Sequence, residues 1–258
     1  MLKKFFTERK LNIIFSLAAI VLMWLVWIIA YYSVKNEYIV PSFTETCKAL
    51  WQCFKESSFW ISFGLTLART LLAFVISFAI AALCAVLSVL FKWFAYVIKP
   101  VIGFLRTLPT LAVSLLLLIW TSAKVAPVIV TVLILFPMIY AELSASFGGV
   151  DRGLLEMCTV YNISRRDRIF KVFVPAVAPN ILSQVGAQIS LGLKVMISAE
   201  VLSNTAKSLG GMMQSARYFI EMPRLAALTI ASVILGLIAE IALSQLARIT
   251  KKWDGRAQ

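Results

Sequence analysis

Long apolar segments separated by short charged stretches run through almost the whole chain. Six of them contain about 20 residues or more, which is enough to cross a bilayer core about 30 Å thick. We predict an all-α polytopic membrane protein with six transmembrane helices, because a helix satisfies its own backbone hydrogen bonds within lipid. The predicted spans are residues 11–32, 63–91, 101–121, 126–147, 177–202 and 225–249.

Some connections and spans carry patterns of their own. The connection 33–62 predicts an amphipathic helix in the membrane interface, because a capping signal precedes alternating apolar and charged faces. The connection 203–224 favours a short helix after its Gly-Gly pair. Small residues recur every four positions in the second span, at Ser77, Ala81 and Ala85, which favours close helix packing. Pro109 and Pro137 predict kinks in the third and fourth spans.

The connection between the fourth and fifth spans, residues 149–175, is the most informative stretch. Asp151 is suited to cap a helix that runs to Tyr161, because its short side chain accepts from the free N–H groups of the first turn. Leu154, Cys158 and Tyr161 then share one helix face. Asn162 tolerates the left-handed conformation that ends many helices.

A second short helix is predicted after this turn, from Arg165 to Phe173. Ser164 and Asp167 have the spacing of a capping box, and Pro175 suits a turn before the fifth span. The whole stretch therefore predicts two short helices outside the bilayer that present a surface to a partner. A plain solvated basic loop is the alternative.

Composition supports a membrane location. The chain is 61% hydrophobic, against about 45–50% in soluble proteins. Its net charge of +13 comes from Lys and Arg at the ends of the apolar segments, which argues for membrane lipid and against nucleic acid as the partner. More than twice as many of them flank one side of the predicted membrane as the other. The N-terminus (1–10), the 149–175 connection and the C-terminal tail (250–258) are therefore predicted to be cytoplasmic.

The candidate chemistry of the chain is sparse. It has no histidine, and its four cysteines form no CxxC pair, so we expect no metal site. Gly148 and Gly153 have the spacing that opens a phosphate-binding loop, but Leu154 stands where that motif needs lysine. A transporter without this nucleotide site needs energy from another subunit.

Ionisable residues inside the spans are the candidates for a solute path, because each costs about 2.5–3.5 kcal/mol at mid-bilayer. They are Arg69, Glu142, Lys194, Glu200 and Glu240. Lys194 lies deepest and has no carboxylate three or four residues away, so it faces a partner helix, a polar cavity or the path. Glu200 lies six residues further, about 120° around the helix, as a candidate for a gate or a solute contact. Arg69, Glu142 and Glu240 lie nearer the segment ends, where snorkelling is the alternative.

Five stretches together resemble a known family. Glu156-Met157-Cys158, Asn162 four residues later and Val174-Pro175 resemble the cytoplasmic EAA loop of ABC-importer permeases, whose usual form is Glu-Ala-Ala, Gly and Leu-Pro. The other stretches are Val40-Pro41-Ser42, Arg106 to Ala112, Ala199-Glu200 and Leu209-Gly210-Gly211. Over about residues 38–250 the chain resembles the nitrate/sulfonate/taurine branch of these permeases.

The resemblance implies a type I ABC-importer transmembrane domain in a prokaryotic inner membrane. Such a subunit pairs with a second permease, usually a copy of itself, with two cytoplasmic ATPase subunits that hold ATP and Mg, and with an external solute-binding protein. It binds no cofactor and is not itself an enzyme. By position, Glu156 is the polar contact to the ATPase, Met157 and Cys158 pack against it, Tyr161 ends the docking helix, and Asn162 makes the turn.

Two functions of other classes remain open from sequence. A secondary carrier or channel would use Lys194 and Glu200 for ion-linked movement. A membrane-embedded enzyme would need catalytic residues clustered at one depth, and the sequence shows no such cluster. Lys194 favours an anion such as a sulfonate or nitrate as the transported solute, but the same branch of permeases also carries neutral and heterocyclic nutrients, so a small nutrient of that kind is the alternative.

Overall fold

The computed structural model of the chain describes residues 2–164 and 167–254, and every regular element in these ranges is helical. The long helices are α1 (Leu2–Val34), α3 (Ser57–Leu90), α6 (Ala126–Gly148), α8 (Val174–Ser203) and α10 (Met222–Asp254). The shorter helices are α2 (Phe43–Lys55), α4 (Lys92–Thr107), α5 (Thr110–Trp120), α7 (Arg152–Val160) and α9 (Leu209–Tyr218). A π-helical turn, Arg168–Phe173, leads directly into α8.

Four helices in the described ranges are long and apolar enough to cross a membrane: Ser57–Leu90, Ala126–Gly148, Lys171–Ser203 and Met222–Ala242. The bent pair α4–α5 is a fifth if it counts as one span. The first predicted span, 11–32, falls within α1, where the described apolar part, Val21–Val34, is shorter than a full span. The structure thus supports four or five of the six predicted spans.

The third predicted span, 101–121, is not one kinked helix. It falls on α4 and α5, which meet at an angle of 95°. Leu108 and Pro109 between them are both extended, with ψ of 122° and 115°. Proline disfavours a helical conformation for the residue before it and lacks the N–H that would continue the helix. By contrast, α6 continues as a helix through Pro137.

Close packing of α3 against α6 and α8 forms the centre of the bundle. The small residues Ser77, Ala81 and Ala85 are all buried, as their spacing predicted. Gly186 of α8 serves the same purpose against α10, because a Cβ there would lie 2.8 Å from the backbone oxygen of Glu240. Small side chains let helix backbones approach closely in membranes.

The bundle has two ends, and each has its own hydrophobic cluster. The loop end is where α3 and α6 finish and α8 begins, and its cluster includes Phe147, Phe173 and Val177. The far end is where α8 finishes and α3, α6 and α10 begin, and its cluster includes Phe59 and Leu209. The helices α7 and α9 lie at opposite ends of this framework.

The helix α2 occupies the first connection at the far end. Ser42 caps it by accepting from the backbone N–H of Glu45 at 3.2 Å. Phe43 makes edge-to-face contacts with Trp24 and Trp27 of α1, and the indole N–H of Trp27 donates to the carbonyl of Pro41. The next helix, α3, begins less than two turns before the predicted start of the second span at residue 63.

Candidate functional site

The helix α7 begins and ends as the sequence predicts. Asp151 accepts a hydrogen bond from the backbone N–H of Gly153 at 2.6 Å. At the other end Asn162 has φ of 47°, in the left-handed region. The N–H of Ile163 donates to the carbonyl of Cys158, and that of Asn162 to the carbonyl of Thr159. This pair of bonds is the Schellman motif, which stops the helix sharply.

The outer face of α7 is uncovered by the rest of the described chain. Cys158 is only 4% exposed, so this side of α7 is covered. Met157 is 55% exposed and Val160 is 77% exposed, and Glu156 is also exposed. Tyr161, predicted on the same face as Cys158, is 72% exposed because it lies in the cap. The result is a projecting apolar surface with one carboxylate.

The second predicted short helix is not separate. The described residues after the turn form the π-helical turn Arg168–Phe173, which runs without a break into α8. Pro175 therefore lies within a continuous helical stretch, as the second residue of α8, and not in a loop. The wider π turn leaves room for the proline ring. Arg165 and Arg166, the predicted start, lie outside the described residues.

Ser164 and Asp167 do make the predicted capping contacts. The hydroxyl of Ser164 accepts from the N–H of Asp167 at 3.1 Å and donates to its carboxylate at 2.8 Å. The same carboxylate pairs with Lys171 at 2.8 Å, one helical turn further on. These bonds fix the direction in which the chain leaves α7.

Two of the three path candidates, Arg69 and Glu200, bond to each other. The guanidinium of Arg69 lies 2.9 Å from the Glu200 carboxylate, which has no exposed surface. The hydroxyl of Thr66 donates to that carboxylate at 2.9 Å and accepts from the N–H of Leu209 at 3.0 Å. The ion pair therefore joins α3 and α8 to the start of α9.

Lys194 is not part of this network. It is exposed, and no ion pair within the described ranges includes it. It lines a groove of about 270 Å³ between α8 and α10. Lys194 and Glu200 do not pair, because Glu200 turns towards α3. The hydroxyl residues that share the groove with Lys194 are Ser190, Ser198, Thr229 and Ser232.

A mostly polar stripe runs along α8, and Lys194 is the one member of it that was predicted from sequence as a path residue. The stripe consists of exposed residues that recur at spacings of three, four or seven: Asn180, Gln184, Ala187, Lys194 and Ser198. Residues at these spacings share one helix face, and all of them except Ala187 are polar. A search for polar periodicity in the fifth span would have found the stripe. A helix face of this kind contacts water or protein rather than lipid, because polar groups are costly in hydrocarbon.

The remaining candidates have local roles. Glu142 of α6 accepts a hydrogen bond from the amide of Gln188 on α8 at 2.5 Å, so it joins two packed helices. The backbone of Glu240 lies against Gly186 at a close crossing of α8 and α10. No group of three or more metal-ligating side chains is found in the described part of the chain.

A helical membrane bundle with a projecting helix at one end and an exposed polar stripe is the arrangement expected of a membrane transport subunit. Residues 77–252, more than half of the chain, match the model of the binding-protein-dependent transport system inner membrane component family. The chain belongs to this family, and it is a multi-pass permease of the inner membrane.

Named relatives agree with this assignment. The chain is 28% identical over 222 residues to SsuC of Escherichia coli (strain K12), named as a putative aliphatic sulfonates transport permease, covering 84% of this chain and 82% of SsuC. It is 22% identical to the taurine transport system permease TauC of the same organism, covering 94% of this chain and 90% of TauC. The predicted resemblance to the sulfonate and taurine branch is confirmed.

A solved structure shows the same fold. A chain of a bacterial alginate ABC transporter, crystallised with a periplasmic protein that holds an alginate pentasaccharide, superposes with a TM-score of 0.64. The match covers 91% of this chain and 95% of that chain at 14% identity. The type I importer fold expected from sequence is thus found. At 14% identity the match shows a shared fold and nothing about a shared solute.

Proposed function

We propose that this chain forms the translocation path of an ATP-driven importer that takes up a small solute from an external solute-binding protein. Two cytoplasmic ATPase subunits hydrolyse ATP with Mg, and this chain binds no cofactor of its own. Closure of the ATPases rocks the bundle between outward-facing and inward-facing states. The family, the fold and the absence of a phosphate-loop lysine after Gly153 support this division of labour.

The observation that carries the proposal is the exposed face of α7. Met157, Val160 and Tyr161 together expose an apolar patch of the kind that marks a protein interaction site. Glu156 supplies a carboxylate beside them. The contacts of Asp167 with Ser164 and Lys171 connect the turn after α7 to the start of α8, so a push on α7 would be transmitted to the helix that carries the polar stripe.

The polar stripe on α8 supports a dimer of permease chains. A groove with Lys194 in its mostly apolar wall is open in the single chain, and a second permease that faces the stripe would enclose Lys194 and its polar neighbours away from lipid. We propose a homodimer, because one chain supplies both the exposed stripe and the projecting helix. The path residues are Lys194 and its polar neighbours on the stripe, whereas Arg69 and Glu200 hold the bundle together beside it.

The solute is proposed to be a small anion. Lys194 is a fixed positive charge in the groove between α8 and α10, and the relatives are named for aliphatic sulfonates and taurine. Lys194→Met is expected to abolish uptake of an anionic solute while assembly of the complex stays normal. Unchanged uptake would exclude Lys194 from the path.

The test of the function is uptake by vesicles that contain this chain and its ATPase subunits, with the solute-binding protein supplied. We expect accumulation that needs ATP on the ATPase side and the binding protein on the other. A secondary carrier using Lys194 and Glu200 would instead accumulate solute in ATP-depleted vesicles with an ion gradient, and that result would overturn the proposal. The buried Arg69–Glu200 pair makes this rival the less favoured one.

The six-span topology with cytoplasmic termini can be tested with native cysteines. Cys47 on α2 is exposed, whereas Cys53 and Cys158 are buried. If α2 lies on the outer surface, a membrane-impermeant maleimide applied to whole cells should label the protein, and Cys47→Ser should remove the label. Labelling of Cys47 only after the cells are opened would reverse the proposed orientation.

A further inference from the structure

A small pocket at the loop end has a charged wall that the transport mechanism does not use. It has a volume of about 220 Å³ and lies between the last turn of α3 and the π-helical turn. Val89, Leu90, Ile169 and Phe173 give it apolar walls. Among the described residues, Arg168 is the one charged residue that lines it.

The guanidinium of Arg168 has an unused donor. Its Nε atom is buried and has no hydrogen-bond acceptor among the residues that the structure describes. The guanidinium carbon lies 5.7 Å from the centroid of the Phe173 ring, which holds the side chain over an aromatic face. Arginine stays protonated in proteins, and a buried donor without an acceptor costs about 1–3 kcal/mol. The pocket therefore presents a permanent positive charge. The buried Nε is out of reach of a ligand, but the terminal amino groups of Arg168 are not buried, and no hydrogen bond within the described ranges uses them.

The apolar wall of the pocket continues along α3. Ile76, Ile80 and Leu83 are 37%, 41% and 62% exposed and recur at three- and four-residue spacing. Leu90 follows Leu83 by seven residues and so lies on the same face two turns later. An exposed apolar track thus leads along a membrane helix to the pocket with Arg168 at its end.

We propose that this pocket binds the phosphate group of an anionic phospholipid, with an acyl chain along the exposed face of α3. A guanidinium binds a phosphate through two parallel N–H donors, and here the two terminal amino groups of Arg168, rather than its buried Nε, would supply them. The apolar walls favour a lipid over a free ion. The distribution of Lys and Arg along the chain predicts that this end faces the cytoplasm, where the membrane leaflet is anionic. The inference goes beyond the proposed function and does not depend on the transported solute.

The bound lipid would stabilise the junction between α7 and α8. Phe173 both contacts the Arg168 guanidinium and packs edge-to-face on Phe147 of α6, with ring centroids 5.8 Å apart. An occupied pocket therefore braces the π-helical turn against the end of the bundle. Anionic lipid is then a structural partner at the point where movement of α7 enters α8.

The test is phospholipid analysis of the permease purified with its ATPase subunits. Arg168→Gln is expected to lose a tightly bound anionic phospholipid while the ATPase subunits stay attached. Lys171→Gln is the matched control, because Lys171 is 75% exposed and pairs with Asp167 outside the pocket. It should keep the lipid. An unchanged lipid content in Arg168→Gln would overturn the proposal.

Two further outcomes would assign the pocket to other occupants and overturn the lipid site. Loss of the ATPase subunits from Arg168→Gln with the lipid retained would show that Arg168 contacts the ATPase instead. Displacement of the lipid by inorganic phosphate in the buffer would show a site for a free anion.

A second variant keeps the proposal testable if Arg168→Gln does not assemble. Arg168→Lys retains the charge but lacks the two-donor fork, and the loss of one hydrogen bond to a charged group should lower its affinity for phosphatidylglycerol in vesicles at least about tenfold. An unchanged affinity would refute the lipid site.

Discussion

The two short helices at opposite ends of the bundle, α7 and α9, differ in what holds them. The start of α9 is buried, and the N–H of Leu209 donates to Thr66, which in turn donates to the Glu200 carboxylate. In α7 Cys158 is buried, whereas Met157 and Val160 are exposed. The start of α9 is covered by its own chain, whereas the outer face of α7 is uncovered by the described residues.

The exposure of a side chain predicts its role, in stability or in association, better than its residue type does. Glu156 and Glu200 are both glutamates in or beside a short helix, but Glu200 has no exposed surface and Glu156 is exposed. Substitutions near α9 should therefore reduce stability, whereas substitutions on α7 should reduce association and leave stability unchanged.

The largest loss of stability is expected from breaking the Arg69–Glu200 pair on one side. Arg69→Met leaves the Glu200 carboxylate buried without its cation, which costs about 3–5 kcal/mol. Thermal unfolding in detergent measures this loss. The double variant Arg69→Met with Glu200→Gln removes both charges and should regain part of the stability. A double variant less stable than Arg69→Met would contradict the pairing.

A smaller loss is expected from Gly210→Ala at the start of α9. The added Cβ would overlap the Cβ of Glu200 and lie 2.6 Å from the backbone nitrogen of Val201, so the helix must shift. Overpacking of this kind costs about 1–3 kcal/mol. Gly64→Ala is the matched control, since nothing lies within 4 Å of its Cβ. Equal unfolding temperatures for the two variants would argue against tight packing of α9.

The smallest change in stability is expected in the turn after α7. Asn162→Gly should be nearly neutral, because glycine adopts a positive φ readily. Asn162→Val should cost about 1–2 kcal/mol locally, since a β-branched side chain is strained in that conformation. Limited proteolysis of the loop would report the difference. Identical cleavage of both variants would show that the left-handed turn is unimportant.

Sequence predicted the parts of the structure that local chemistry decides. The cap at Asp151 and the turn at Asn162 depend on residues within one or two turns, and the buried stripe on α3 depends on periodicity. Those signals need no knowledge of the rest of the fold.

Contacts between residues far apart in the chain could not be predicted from local sequence patterns. Arg69 and Glu200 are 131 positions apart, so their pairing follows only once α3 and α8 are packed together. The break at Pro109 was visible in sequence, but the 95° angle between α4 and α5 depends on what each helix packs against. The prediction of a turn at Pro175 was wrong, because nothing in its neighbourhood signals the π-helical turn that accommodates it.

The central claim is that the exposed face of α7 is the docking surface for the ATPase, and co-purification of the ATPase subunits tests it most directly. The variants are Val160→Arg on α7 and Phe219→Arg at the far end, whose side chains are 77% and 78% exposed. We predict that Val160→Arg loses the ATPase subunits and ATP-driven uptake while its unfolding temperature is unchanged, and that Phe219→Arg keeps the subunits. Retention of the ATPase subunits and uptake by Val160→Arg would contradict the account.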